Sequence, residues 1–259
     1  MKPNLINGMM QLKQRLNAPE PLGNVFMTLP VPALAERIGV TGVESITLDM
    51  QHGCIEDAHL LGMLQAIRAG GAIPLVRLAW NRPELIMKAL DYGVEGLICP
   101  MIDSAAEAAA FVRAAKYPPA GNRSFGPFRA SMGYAGDYFA DANDRTLCFA
   151  MIETAGAVDE LEAIAATAGL DGLFIGPWDL SVSLGRPRQG DFADADLLAV
   201  FDRVQAAARA NGLFTGVFTV RPEDARAMYV REFDLVTWGT EELMFQRGLG
   251  EWIRSTVGG

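Results

Sequence analysis

The feature that most constrains this chain is an alternation repeated eight times. Short apolar runs, rich in Val, Ile, Leu, Phe and Gly, are each followed by a longer stretch with apolar residues at helical spacing. The runs fall at residues 24–28, 45–49, 73–78, 96–100, 147–153, 172–175, 214–218 and 235–238. Most are continuously apolar, a pattern that suits strands of a parallel sheet covered on both faces. Helices are expected at 32–38, 57–69, 82–91, 104–116, 155–168, 194–210, 222–230 and 240–256. Several carry start signals: Asn81 or Arg82 before Pro83, Ser104 with Glu107 three residues on, and Arg221 before Pro222. Eight strand–helix units in a chain of 259 residues predict an α/β fold, a TIM-type (β/α)8 barrel forming one domain over residues 1–259. A doubly wound open sheet is the alternative, disfavoured because no glycine-rich dinucleotide fingerprint follows the first strand.

Two connections break the rhythm. Residues 117–145 hold several Pro, Gly and Arg with little periodicity, and residues 181–193 are rich in Gly, Arg and Pro. Loops of this length in a compact domain are usually lids or binding segments, and that is the expectation for both.

Half the residues are apolar and a fifth are charged, enough to bury a large core. The formal charge of −9 comes with no basic run, which argues against nucleic acid as a partner. An acidic surface leaves room for an anionic substrate, because one buried Arg supplies local positive charge. Cys54, Cys99 and Cys148 are odd in number and lack metal-ligand spacing, so a reducing, cytoplasmic setting is expected. Residues 1–20 have no apolar core of a secretory signal, and no apolar stretch approaches membrane-spanning length.

In a (β/α)8 barrel, chemistry sits at the carboxyl ends of the strands. The acids there are Glu153 and Asp179, 26 residues apart, about one strand–helix repeat. Neighbouring strands would deliver two carboxylates to one rim, the oxygen donors that a hard divalent cation takes. Ordinary salt bridges are the plainer reading, against which basic neighbours are scarce. Asp49 and His52 follow the second strand in Leu48-Asp-Met-Gln-His52, where a carboxylate near an imidazole orients the ring and raises its basicity. His59 lies within the next helix and reads as structural. Arg77 sits inside an apolar strand, where a charge is costly unless paired. It either neutralises a barrel acid or holds a substrate carboxylate, a task suited to guanidinium geometry. In Gly176-Pro-Trp-Asp179 a short helix is expected to start, and its free N–H groups at Trp178 and Asp179 would bind a carboxylate.

Five motifs taken together resemble one family. They are Leu48-Asp-Met-Gln-His52, Pro74-Leu-Val-Arg77 with Trp80-Asn81, Tyr117-Pro-Pro-Ala-Gly-Asn-Arg123, Ile152-Glu-Thr154 and Phe174-Ile-Gly-Pro-Trp-Asp-Leu180. In this order, over residues 23 to 245, they are similar to the HpcH/HpaI family of class II, metal-dependent pyruvate aldolases. The resemblance implies a lyase that cleaves a 4-hydroxy-2-oxo acid to pyruvate, or a hydroxypyruvate-like keto acid, plus an aldehyde. It implies Glu153 and Asp179 as ligands of Mg²⁺ or Mn²⁺, with Co²⁺ or Zn²⁺ as alternatives. Arg77 would bind keto-acid oxygens, the Asp49–His52 pair would handle protons, and the Trp178 and Asp179 N–H groups would cradle the carboxylate. It also implies a homohexamer, a trimer of dimers that exchange the C-terminal helix at about 240–256. Relatives that cleave acyl-CoA thioesters of the malyl or citramalyl type, and a non-catalytic keto-acid binding protein, are the rival readings. This chain departs from the family at Gln51 (often Glu), Met151 (often Gln), Trp178 (often small) and Ser124 (often Gly). Phe125, Phe128, Tyr134, Phe218 and Trp178 are the candidates for an aldehyde pocket.

Overall fold

The structure, a computed structural model, describes residues 11–132, 134 and 136–257. Eight parallel strands, each hydrogen-bonded to the next, close a barrel in sequence order. They are β1 (Leu22–Met27), β2 (Ser45–Asp49), β3 (Ile73–Arg77), β4 (Gly96–Cys99), β5 (Leu147–Ile152), β6 (Gly172–Ile175), β7 (Phe214–Phe218) and β8 (Leu235–Thr240). All eight expected runs are strands. Their continuous apolarity has the anticipated cause: side chains on both faces of nearly every strand are buried.

The helices are α1 (Leu12–Leu16), α2 (Pro32–Val40), α3 (Asp57–Ala69), α4 (Pro83–Asp91), α5 (Ala105–Ala115), α6 (Tyr138–Arg145), α7 (Ala155–Asp159), α8 (Leu161–Ala165), α9 (Pro177–Ser183), α10 (Ala195–Ala210), α11 (Pro222–Val230) and α12 (Glu241–Val257). Arg82 and Arg221 are N-caps ahead of their prolines, and the Ser104 hydroxyl accepts from the Glu107 N–H as a cap should. The single helix expected at 155–168 is instead two short ones, broken at Glu160, where Gly156 and Asp159 weaken helix propensity. α1 and α6 lie in segments with no expected helix. The expectation for residues 1–20 rests partly on residues 1–10, outside the described residues. No helix among the described residues is long and apolar enough to cross a membrane.

The barrel interior is filled by pairing large residues with glycine on the adjacent strand. Phe149 sits in register with Gly172, and Phe174 with Gly216. A Cβ on Gly172 would lie 2.3 Å from the Phe149 ring, and one on Gly216 2.4 Å from that of Phe174. α1 stoppers the amino end: Leu12 and Leu16 join the interior cluster, and the Leu12 N–H donates to Glu95 Oε2 at 2.7 Å. With that end plugged, the opposite end is the only mouth the barrel offers among the described residues.

The long connection 117–145 runs at the plugged end. The α5 helix carries the chain away from the mouth. Lys116 Nζ then donates to the carbonyls of Asn143 and Thr146 and to Asp171, groups that precede β5 and β6. Within one chain this segment is therefore no lid over Glu153, and Phe125, Phe128 and Tyr134 lie on the far side of the barrel from Trp178 and Phe218. Phe125 packs on Tyr117 and Phe139, Phe128 on Tyr92, and Tyr134 on Tyr138. The 181–193 connection does approach the mouth: Phe192 lies against Trp178.

Candidate active site

Barrel closure brings Asp49, Arg77 and Glu153 to the mouth at the ends of β2, β3 and β5, and Asp179 on α9, which follows β6. β2 and β3 pair in register so that Asp49 stands opposite Arg77. The two buried charges form a two-point ion pair, Arg77 Nε to Asp49 Oδ1 at 2.9 Å and Nη2 to Oδ2 at 2.6 Å. This resolves how a charge survives in an apolar strand: fork geometry matches a carboxylate and satisfies both ions. The guanidinium also stands 5.3 Å from the Phe26 ring centroid, a cation–π contact from β1. Nη1 has no partner among the described residues.

Asp49 does not touch the His52 ring. Its Oδ1 accepts instead from the backbone N–H groups of Gln51 (3.1 Å) and His52 (3.3 Å), closing the turn that follows β2. Only Met50 and Gln51 separate Asp49 from His52, so the aspartate places His52 through the main chain, and the imidazole is exposed. His59 is a capping residue: its Nδ1 accepts from the Glu56 N–H at the start of α3.

Glu153 is fully buried. Its Oε1 accepts from the Met101 N–H at 2.7 Å, whereas Oε2 has no partner. Met101 reaches this position with a left-handed backbone, φ 55°, unusual for a residue with a side chain. Burial pushes the Glu153 carboxyl up to about 7; the Met101 N–H opposes this, Asp179 and Asp103 add to it, and Arg77 draws it back. Space beside the free oxygen depends on Gly176, where a Cβ would lie 2.7 Å from Oε2 and 2.6 Å from the Met151 tip. Met151 thus underlies the acid from inside the barrel.

Asp179 lies in the first turn of α9, exposed, with Gly176 as N-cap and Pro177 at the first helical position. That turn leaves the Trp178 and Asp179 N–H groups without intrahelical acceptors. The Trp178 indole is held by Phe218 (centroids 5.6 Å), Phe192 (6.5 Å) and the backbone of Gly190, which has φ +58°. Among the described residues, no three His, Cys, Asp or Glu converge as a ready-made metal cage. An orphaned buried carboxylate oxygen with a second carboxylate near enough to raise its pKa fits a cation bound by two acids, with its other positions left to water and substrate. Met101, Gly176, Asp103 and Phe26 were not legible as site residues in the sequence; a glycine closing an apolar strand before Pro-Trp-Asp was the one available signal.

A family model described as HpcH/HpaI aldolase/citrate lyase matches residues 24–247. The chain belongs to this family. It is 38% identical over 212 residues to a hydroxypyruvate/pyruvate aldolase of Rhizorhabdus wittichii, covering 82% of this chain and 84% of that protein. It is also 38% identical over 205 residues to a 2-dehydro-3,6-dideoxy-6-sulfogluconate aldolase of Pseudomonas putida, covering 78% and 79%. The solved structure of an HpcH/HpaI aldolase/citrate lyase family protein from Burkholderia cenocepacia superposes with a TM-score of 0.88 at 32% identity, covering 95% of this chain and 99% of that one. This HpcH/HpaI protein is accordingly an enzyme of the carbon–carbon lyase class, of aldolase type.

Proposed function

We propose that this enzyme reversibly cleaves a 4-hydroxy-2-oxo acid to pyruvate, or to a hydroxypyruvate-like keto acid, and an aldehyde. The observation that carries the reading is the fully buried Glu153 with one unpartnered oxygen, flanked by Asp179 and by Arg77. Glu153 and Asp179 would hold a divalent cation, Mg²⁺ or Mn²⁺, which when bound supplies Lewis-acid stabilisation of negative charge on the substrate's 2-oxygen. Arg77, locked by Asp49 and backed by Phe26, presents Nη1 to the same oxygen as the C3–C4 bond breaks and its electron pair moves there. The Trp178 and Asp179 N–H groups receive the substrate carboxylate at the helix start. The His52 ring takes the proton of the 4-hydroxyl as the aldehyde forms, and returning a proton to C3 completes pyruvate. Asp49 sets the position of His52 through the turn.

Chelation by EDTA is expected to abolish pyruvate release, and Mg²⁺ or Mn²⁺ to restore it; full activity in metal-free enzyme would overturn the reading. Tight binding of metal and pyruvate without turnover on a broad aldehyde panel would favour a binding protein instead. Turnover of acyl-CoA thioesters alone would favour the malyl-CoA type.

The assembly we propose is a homohexamer, a trimer of dimers exchanging α12. What supports it is that helix itself: only Glu241 is buried, while Phe245 (69% exposed), Trp252 (73%), Ile253 and Val257 form an uncovered apolar stripe. A cytoplasmic setting suits the three free cysteines.

A further inference from the structure

We propose that Glu241 is a positioning residue for the His52 turn, acting from the start of α12 through the β1 exit loop. This rests on the reading that His52 handles a proton of the substrate.

The contacts form a short continuous path. Glu241 is buried, and its Oε1 accepts from the N–H groups of Thr28 (2.8 Å) and Leu29 (2.7 Å), with the Thr28 hydroxyl at 3.2 Å. A carboxylate that gathers two successive N–H groups fixes the path of that loop, because charge-assisted hydrogen bonds are the strong ones. The next link is the Thr28 carbonyl, which accepts from the Cys54 N–H at 2.7 Å. Cys54 is two residues beyond His52. Gly53, between them, packs so closely that a Cβ there would lie 2.4 Å from the Asp49 carbonyl oxygen and 2.9 Å from Thr28 Cα. The His52 turn is therefore clamped at both ends. At its start Asp49, itself held by Arg77, accepts from the His52 N–H. At its end Thr28, held by Glu241, accepts from Cys54.

The ring of His52 has no hydrogen bond of its own among the described residues, so its placement depends on the backbone that carries it. The Arg77 clamp belongs to substrate binding as well. The Glu241 clamp touches neither Arg77, at the end of β3, nor the two metal-side acids, Glu153 just past β5 and Asp179 in α9. Loss of Glu241 is therefore expected to disturb proton transfer while leaving keto-acid binding in place. Displacement of a reacting group by about 1 Å costs on the order of 100-fold in rate.

The test is steady-state kinetics of cleavage by the full-length, Mn²⁺-loaded enzyme with Glu241 replaced. Glu241→Ala is expected to lower kcat about 10- to 100-fold at nearly unchanged KM for the 2-oxo acid. Glu241→Gln, which keeps one carbonyl oxygen for both N–H groups, is expected to restore most of it. An unaltered kcat in folded Glu241→Ala would overturn the proposal. So would kcat falling together with keto-acid affinity, or a glutamine variant as impaired as alanine. Should Glu241→Ala not be recovered folded, Gly53→Ala perturbs the same turn from the other side: loss of kcat at constant KM supports the clamp, and normal kinetics overturn it. His52→Ala separates the two claims, since full activity there would remove His52 from the mechanism whatever Glu241 does.

Discussion

At the residue scale, Glu153 is a carboxylate placed where nothing in the chain fully satisfies it. A buried polar atom without a partner costs about 1–3 kcal/mol, a cost that the proposed cation would offset. Gly176 is what leaves room beside the free oxygen, because a Cβ there would lie 2.7 Å from it. Gly176→Ala is therefore expected to weaken Mn²⁺ binding at least ~10-fold, as loss of support around a metal ligand does, while the barrel still forms. Isothermal titration with Mn²⁺ checks it, and unaltered affinity would remove the free oxygen from the metal site. Arg77→Ala strands buried Asp49 without its partner, a change that costs ~3–5 kcal/mol. Nearly all turnover should be lost and thermal stability lowered; a fully active variant would remove Arg77 from the site. The acids and Arg77 were legible because each ends or interrupts an apolar run. Their partners were not. Asp49 was expected beside the His52 imidazole by closeness in sequence, but β2–β3 registry offers it a bidentate guanidinium. Such a charged, two-point partner is a stronger attraction than a single imidazole N–H.

At the element scale, strand starts and helix caps were readable because they are local. The Ser104 hydroxyl–Glu107 pair and the two prolines at helix starts need only neighbouring residues. α1 was not readable: five residues are too few to show a helical period, and its stability comes from plugging the barrel end through Glu95. The 117–145 segment was expected near the site from its length, yet length does not say at which end of a barrel a loop emerges. Direction does: a segment that follows a helix and precedes a strand must start at the amino end. α12 carries the element-scale prediction. Replacing Phe245 and Trp252 together by Glu should reduce the mass seen by light scattering from that of an oligomer toward that of one chain, because both side chains are exposed in the isolated protomer. An unchanged mass would take the apolar stripe of α12 out of the interface.

At the scale of the whole molecule, the buried acid ties stability to pH. In the folded chain Glu153 holds its proton up to about pH 7, against an ordinary value of 4.5. Between those values the unfolded chain has released a proton that the folded chain retains. Stability of the metal-free enzyme should therefore fall as pH rises through this window, by roughly 3 kcal/mol. Thermal melts of the metal-free protein at pH 5 and pH 8 test this, with Glu153→Gln expected to flatten the difference; an equal pH slope in both would exclude Glu153 as its source. The sequence by itself determined the eight-fold alternation, and with it the barrel, because apolar periodicity is a local consequence of burying strands on two faces and helices on one. It also determined which acids end strands. Only the tertiary structure decided that Asp49 binds Arg77, that Met101 donates to Glu153 from just past the end of neighbouring β4, and that the long loop lies at the plugged end. Those are contacts between residues distant in sequence, set by strand registry and closure of the barrel, and no local pattern encodes them.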